Sequence, residues 1–182
     1  MKMKTLKNLI TMTLAMGTLF FAQLSNAQKL SLQSSNIKID GTSTLHDWTM
    51  SSSQAAFSGN VSGNAINDVK FVMKATSLKS KESAMDKNAY KSLEVSKYPD
   101  ITFTTASIPA GASTISGNLT ITDVTRNIKF PVNVTKTANG YIIKGSTKIK
   151  MSAFGIKPPS FMMGTIKTGD EITISVNLTT TN

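Results

Sequence analysis

The sequence predicts an all-β protein with one inserted helix, and three observations support this prediction. Short segments that alternate apolar and polar residues recur along most of the chain, which is the pattern of strands with one buried face. Turn residues separate these segments, and Asn139-Gly140 is a strong hairpin signal. Helical spacing occurs in one stretch, within residues 78–103. About eight or nine short strands with one helix indicate an antiparallel barrel or sandwich.

The predicted strands follow one another through short connections. Residues 41–44 are small and polar and predict a bend or bulge, and residues 123–127 predict a turn with Arg126 at the surface. Pro131 predicts a sheet edge or a bulge, because proline cannot donate a ladder hydrogen bond. Residues 154–164 form an apolar loop. In chain order, the strands are predicted over residues 30–33, 37–40, 45–50, 56–62, 69–75, 101–104, 113–122, 128–135, 141–151 and 171–180.

The helix is predicted over residues 83–95. Its apolar residues fall near three- and four-residue spacing among lysines and acidic residues, which gives one apolar stripe on a charged helix. Tyr98-Pro99 ends it, because a proline biases the residue before it away from the α region. A single helix between strands can cover an open end or face of a β structure. The stripe consists of Ala84, Met85, Ala89, Leu93 and Val95.

The first 27 residues have the pattern of a signal peptide. A basic start with three lysines precedes a mostly apolar run over residues 9–24, and Ser25-Asn26-Ala27 supplies small residues at the cleavage positions. We expect cleavage near Ala27, which leaves residues 28–182 as one domain in the periplasm or outside the cell. The chain has no cysteine, so neither disulfides nor a lipoprotein anchor are expected.

The net charge of +10 falls by three when the signal lysines are removed. The remaining lysines are spread over most strands, with Arg126 as the one arginine and no platform of aromatic and basic residues. This distribution does not favour nucleic-acid binding. It is typical of a soluble exported protein with a basic surface, and it permits peripheral attraction to an anionic membrane. The oligomeric state stays open, with a dimer among the alternatives.

One group of residues suggests an enzyme, namely Ser43, His46 and Asp47. A catalytic triad needs these side chains to converge, whereas adjacent residues on a strand point to opposite faces. A single histidine without cysteine is also poor evidence for a transition metal. The sequence therefore predicts a non-enzymatic protein without a metal or other cofactor. We expect His46 to form a structural hydrogen bond near a cavity mouth or to bind the polar head of a ligand.

Four pieces of sequence carry a resemblance to a known family. They are a first hairpin over residues 39–48, Ser77-Leu78 followed by the charged helix and KYPDITF at 97–103, GNLTITDVTRNIKFPV at 117–132, and Phe154-Gly155-Ile156 with residues 170–178. In this order they resemble the YceI-like family, exported bacterial proteins that bind lipids or polyisoprenoids. The resemblance implies an extended, lipocalin-like antiparallel β-barrel of about eight strands, wide enough to hold one ligand.

The inward apolar residues are the candidate binding site. They line a cavity if the barrel is hollow and form the core if it is filled; the residues alone favour a filled barrel, and the resemblance favours a hollow one for some of them. The cavity candidates are Ile39, Trp48, Phe71, Met73, Phe103, Leu119, Ile121, Phe130, Val132, Ile143 and Ile174. The candidates for the mouth or for contact with a head group are His46, Lys81, Met85, Phe161 and Met162.

The predicted helix could also contribute to binding of a ligand head group at the mouth. If it covers an opening, Lys79, Lys81 and Lys87 could meet a phosphate or carboxylate head group while the apolar stripe faces the tail. The alternative is an ordinary solvated helix face.

The predicted function is sequestration or transport of a long apolar ligand, which is a polyisoprenoid, an isoprenoid quinone or a fatty acyl chain. The first alternative is a structural or interaction protein of the cell envelope with a filled core. The second is a hydrolase that uses Ser43, His46 and Asp47.

Overall fold

The computed structural model describes residues 28–181, apart from the side chains of Phe161 and Met162. The predicted signal peptide, residues 1–27, lies outside the described residues. One helix, α1 (Ser83–Ser92), stands among the strands. Short 3₁₀ turns occupy Ala75–Ser77, Met151–Phe154 and Met162–Gly164. The strands are β1 (Gln28–Lys29), β2 (Ser31–Ser43), β3 (Trp48–Ser52), β4 (Ala56–Ser62), β5 (Ala65–Lys74), β6 (Asp100–Pro109), β7 (Gly111–Ile121), β8 (Val124–Thr137), β9 (Gly140–Lys150), β10 (Ser160–Phe161) and β11 (Ile166–Thr181).

The strands form one antiparallel sheet that curls into a barrel. Their order is β1-β4-β5-β6-β7-β8-β9-β11-β2-β3, and β10 pairs with β11. The sheet closes because β1 runs into β2 through Leu30, whose N–H donates to the Gly59 carbonyl at 3.0 Å. When β1 is joined with β2 and β3 with β4, the barrel wall has about eight strands, a number that leaves room for side chains or one small ligand. The predicted fold class is confirmed.

Alternation along the strands places the apolar residues inside. In β8, Phe130, Val132 and Val134 are buried while Lys129 and Asn133 are exposed. Successive side chains on a strand point to opposite faces, so a period of two in the sequence becomes one apolar wall.

One end of the barrel is filled by a packed core. Leu30, Ile66, Val134 and Tyr141 are nearly or fully inaccessible to solvent there. Thr180 is also buried, and its hydroxyl accepts a hydrogen bond from the Tyr141 N–H at 3.2 Å. A buried hydroxyl with a partner avoids the cost of an unsatisfied polar group. This end of the barrel is therefore closed.

Helix α1 covers the opposite end. Its residues Met85 and Ala89 pack with the buried side chains of Met50, Met73 and Leu78. The prediction of a helix over an open end agrees with this arrangement. No helix within residues 28–181 is long and apolar enough to cross a membrane.

The helix is shorter than predicted. It ends at Ser92, with Leu93 as its C-cap, instead of at Val95. Glu94 adopts a left-handed backbone conformation with φ of +48°, which terminates the helical hydrogen-bond pattern.

Two other local predictions are confirmed in part. β2 continues through Gly41 to Ser43, and a Cβ on Gly41 would clash with the indole of Trp48. The glycine makes room for an aromatic ring on the neighbouring strand. The predicted bend lies at Thr44 and Leu45, and the pairing of β2 with β11 is irregular between Gly41 and Ser43. The predicted turn at 123–127 is shorter, because β8 already begins at Val124; Arg126 is exposed as expected.

Pro131 does not lie on an edge strand, since β8 pairs with β7 on one side and β9 on the other. It pairs with Thr114 of β7 without a register shift, so there is no bulge in this pairing. The register of β8 with β9 begins at the next residue, Val132. The proline, which has no N–H to donate, therefore lies next to the residue at which the pairing of β8 with β9 begins.

Candidate functional site

The barrel contains an apolar cavity of about 410 Å³. Sites for small molecules typically measure about 300–1,000 Å³. The barrel is therefore hollow along its middle and filled at its closed end. All eleven residues proposed from the sequence line this cavity: Ile39, Trp48, Phe71, Met73, Phe103, Leu119, Ile121, Phe130, Val132, Ile143 and Ile174. That they contact a ligand stays a prediction.

Further apolar residues line the cavity that were not singled out from the sequence. They share the alternation of the named residues, so the signal was present in the period-two pattern of each strand. The pattern does not reveal which inward residues face a void and which face one another. The additional residues include Ile37, Met50, Phe57, Val69, Ile108, Ile115, Val176 and Leu178.

The mouth of the cavity lies between α1 and two loops. The helix contributes Met85, Ala89 and Leu93 to the cavity wall, as the apolar stripe predicted. The loops contribute Leu45 and His46 from one side and Pro159 with Ile166 from the other. His46 and Met85 therefore lie where the sequence suggested. The side chains of Phe161 and Met162, also proposed for the mouth, lie outside what the structure describes.

The lysines of the helix segment do not face the cavity. Lys79, Lys81 and Lys87 are exposed, and none of them contributes to the wall. Lys81 lies just before α1, its side chain extends into solvent and it is not part of the cavity wall, so its contact with a head group stays a prediction. The polar residues of the wall are instead Ser43, His46, Glu82, Asn88, Ser92 and Thr168.

Helix α1 is held in place by hydrogen bonds to the segment before it. The buried carboxylate of Asp86 accepts from the N–H of Ser80 at 2.7 Å and from its hydroxyl at 2.8 Å. The hydroxyl of Tyr90, one turn later, lies 2.7 Å from the Leu78 carbonyl and 2.8 Å from that of Thr76. Asp86 and Tyr90 are four residues apart and so lie on the same face of the helix. We call this pair the latch.

The latch is connected to the barrel wall and to a cation. Lys79 exchanges two backbone hydrogen bonds of 2.8 Å with Ser51 of β3. The ammonium of Lys79 lies 3.8 Å from the Asp86 carboxylate and 5.0 Å from the centre of the Tyr90 ring. Burial raises the pKa of Asp86, but the hydrogen bonds from Ser80 and the charge of Lys79 outweigh it and hold that pKa below its ordinary value.

The two loops at the mouth are joined to each other. The Thr44 N–H donates to the Lys167 carbonyl at 2.9 Å, and the Lys167 N–H donates to the Thr44 hydroxyl at 3.1 Å. We call residues 43–47 and 157–167 together the rim. Next to the rim, Asp170 accepts two hydrogen bonds from Ser152, and these lower the pKa of its carboxyl. These bonds attach the 3₁₀ turn Met151–Phe154 to β11.

The residues of the suggested triad do not hydrogen-bond to one another through their side chains. The Ser43 hydroxyl donates to the His46 carbonyl at 2.7 Å and accepts from the His46 N–H at 3.1 Å. The Nδ1 of His46 lies 2.7 Å from the carbonyl oxygen of Asp47. This arrangement is a small turn closed by a serine side chain.

Comparison with solved structures finds several with a similar fold. The structure of BcnA from Burkholderia cenocepacia is similar with a TM-score of 0.66 at 17% identity, over 79% of this chain and 94% of that chain. A polyisoprenoid binding domain from Saccharophagus degradans, implicated in plant cell wall breakdown, gives a TM-score of 0.66 at 16% identity, over 84% and 97%. The YCEI protein of Campylobacter jejuni gives 0.58 at 17% identity, over 88% of each chain. At these identities the likeness shows the fold alone.

Sequence comparison identifies the family. No curated protein matches the chain significantly. The profile of the YceI-like domain matches residues 26–180, which include helix α1 and the whole barrel wall except the last residue of β11. On this evidence the chain belongs to the YceI-like family.

Proposed function

We propose that this protein is a non-enzymatic binder that holds a long apolar chain, such as a polyisoprenoid, an isoprenoid quinone or a fatty acyl chain, inside its barrel. The observation that carries the proposal is the apolar cavity of about 410 Å³, which is closed by packed side chains at one end and reaches the surface beside α1 at the other. A ligand that buries about 400 Å² of apolar surface gains about 10 kcal/mol before association costs. Micromolar or tighter binding is then attainable.

The comparisons support this proposal at a coarser level. The family match and the likeness to a polyisoprenoid binding domain indicate a fold used for lipid or isoprenoid binding. The turn at Ser43 and His46 supports a non-enzymatic role, because the serine side chain is engaged by backbone groups.

The polar residues of the mouth favour an uncharged head group. Glu82, Asn88 and His46 line the cavity, whereas the nearby lysines extend into solvent. A phosphate or carboxylate that enters the cavity would meet the Glu82 carboxylate in a wall to which no lysine within residues 28–181 contributes. A carbonyl could instead accept from the Asn88 amide, and a hydroxyl could accept from Asn88 or donate to Glu82.

Export is the second part of the proposal. We propose that residues 1–27 are removed as a signal peptide and that residues 28–182 act as a single domain in the periplasm or outside the cell. Intact-mass analysis of the protein secreted or exported by a bacterial host tests this. A chain that begins at Gln28 supports export, and a chain that retains its first residues in the cytoplasm refutes it.

The binding proposal is tested by fluorescence, because Trp48 is the single tryptophan and lines the cavity. Quinones quench nearby indole emission, so titration with an isoprenoid quinone should quench Trp48 saturably. A short-chain quinone that lacks the isoprenoid tail is the matched control and should bind more weakly by about fifteenfold for each two buried methylenes, at about 0.8 kcal/mol each. Quenching that does not saturate, or is equal for both quinones, would refute binding of the tail in the cavity.

A further inference from the structure

We propose that the rim is a docking surface for an anionic lipid bilayer, which it contacts with the cavity mouth facing the membrane. The mouth is bordered by this rim on one side and by the start of α1 on the other. The contact would let an apolar ligand pass between the bilayer and the cavity without exposing its chain to water. Passage of a ligand through this contact rests on the proposed function, but binding of the rim to the bilayer does not require a ligand.

Exposed apolar side chains mark the rim. Among the side chains that the structure describes, the large hydrophobic residues that are strongly exposed are Leu45, at 67%, and Met163, which is fully exposed. Single exposed hydrophobic residues are common on soluble proteins. Here both belong to the rim, and Leu45 also lines the cavity. Their concentration at the entrance of an apolar cavity points to an apolar partner at that place.

Hydrogen bonds hold the two apolar residues on one platform. Leu45 follows Thr44, and Met163 precedes Thr165 by two residues. The Thr44 hydroxyl lies 3.3 Å from the Thr165 carbonyl, in addition to its contacts with Lys167. Because the two loops are joined in this way, Leu45 and Met163 can enter the same surface together.

The charges around the mouth fit an anionic surface. Lys157 and Lys167 are exposed within the rim, and Lys81 is exposed just before α1. The acidic residues of these same segments are Asp47 and Glu82, so the lysines are in excess. Lysines near an anionic leaflet are attracted to it, and exposed apolar residues insert at the boundary between head groups and acyl chains. In this arrangement the solvent-facing lysines contact the anionic surface of the membrane, although they do not face the cavity.

The test is co-sedimentation of residues 28–182 with vesicles, without added ligand. Vesicles of equal parts phosphatidylcholine and phosphatidylglycerol should bind the protein, vesicles of phosphatidylcholine alone should bind it at least tenfold more weakly, and added salt should weaken the anionic binding. The variants Leu45→Ser and Met163→Ser should each lose at least threefold in partition, and the double variant at least tenfold.

Charge reversal supplies a matched pair of variants. Lys157→Glu with Lys167→Glu should reduce binding to the anionic vesicles at least tenfold. Lys29→Glu with Lys136→Glu changes the same net charge at the closed end of the barrel, where both lysines are also exposed, and should have much less effect. Circular dichroism of each variant confirms that the barrel is folded.

Three results would overturn the proposal. They are absence of binding to anionic vesicles, equal losses for the two charge-reversed pairs, and vesicle binding by the double serine variant that equals wild type. A fourth result would also overturn it: a wild-type dimer that Met163→Ser converts into a monomer would assign the apolar residues to a second copy of the chain. Wild-type protein that binds vesicles but binds no polyisoprenoid, quinone or fatty acyl chain would refute the proposed function and leave the docking surface in place.

Discussion

A substitution that introduces a larger side chain into the cavity distinguishes a hollow barrel from a packed one. Ile174 lies in the middle of β11, lines the cavity and is only half-buried by its protein neighbours. Phenylalanine adds about three carbon atoms at this position. In a fully packed core such an addition typically costs about 1–3 kcal/mol. In a cavity the same atoms gain burial, worth up to about 0.8 kcal/mol each, or about 2.4 kcal/mol in total.

We therefore expect Ile174→Phe to leave the free energy of unfolding unchanged or to raise it by up to about 2.4 kcal/mol. The ring displaces about three methylene groups of the ligand, so the dissociation constant should rise about sixtyfold. Urea unfolding measures the first quantity, and quenching of Trp48 by an isoprenoid quinone measures the second.

The control is Thr173→Phe, which places the same ring on the outward face of the same strand. Because this ring lies outside the cavity, it should change the affinity for the quinone by less than about threefold. A factor of ten in affinity corresponds to about 1.4 kcal/mol. A loss of stability of about 1–3 kcal/mol in Ile174→Phe, together with unchanged affinity, would show that the interior is packed and that the ligand lies elsewhere.

Three further predictions concern the latch and the closed end. Tyr90→Phe removes the hydroxyl near the Leu78 carbonyl, which should cost about 1 kcal/mol of stability and speed ligand release in stopped-flow fluorescence. Because the pKa of Asp86 is lowered on folding, its contribution is present above the ordinary value of 3.8 and is lost as the pH falls below it, so Asp86→Asn should flatten the dependence of the urea midpoint on acid pH. Gly140→Ala should lower stability by about 1–3 kcal/mol in urea unfolding, because the Thr180 backbone occupies the place of a Cβ.

Each of these predictions has its own contrary result. For the latch, equal release rates in Tyr90→Phe and wild type would show that the helix does not control exit of the ligand. Parallel pH curves for Asp86→Asn and wild type would show that this carboxylate does not couple acid pH to stability. For the closed end, an unchanged urea midpoint in Gly140→Ala would mean that the β9 and β11 backbones separate easily there.

The sequence predicted those features that depend on local periodicity. The strand at residues 56–62 has the predicted bounds, and the inward residues proposed for the cavity do line it. A period of two places a side chain on a face, and the helical spacing at 84, 85 and 89 places a stripe on one side of a helix. Both signals depend on the spacing of a few neighbouring residues. Contacts made elsewhere in the fold do not change which face these residues share.

Features that depend on residues distant in sequence were not predictable. Gly41 was predicted only as part of a bend or bulge, but its lack of a side chain also accommodates the ring of Trp48 across the sheet. The helical spacing could not show that the lysines of this segment lie outside the cavity wall, because the orientation of α1 follows from hydrogen bonds of Asp86 and Tyr90 with the preceding segment. The platform that joins Leu45 to the loop before β11 also depends on contacts more than a hundred residues apart. No local pattern encodes these pairings.

The most direct test of the account is to identify what the cavity holds. Protein comprising residues 28–182 should be purified from a bacterial host, extracted under denaturing conditions and analysed by lipid mass spectrometry, with Ile174→Phe and a mock purification in parallel. We predict a polyisoprenoid, quinone or fatty acyl species in near-stoichiometric amount from wild type and much less from Ile174→Phe. Extracts without such a species, both as purified and after incubation with these lipids, would contradict the claim that the barrel is a binding site for a long apolar chain.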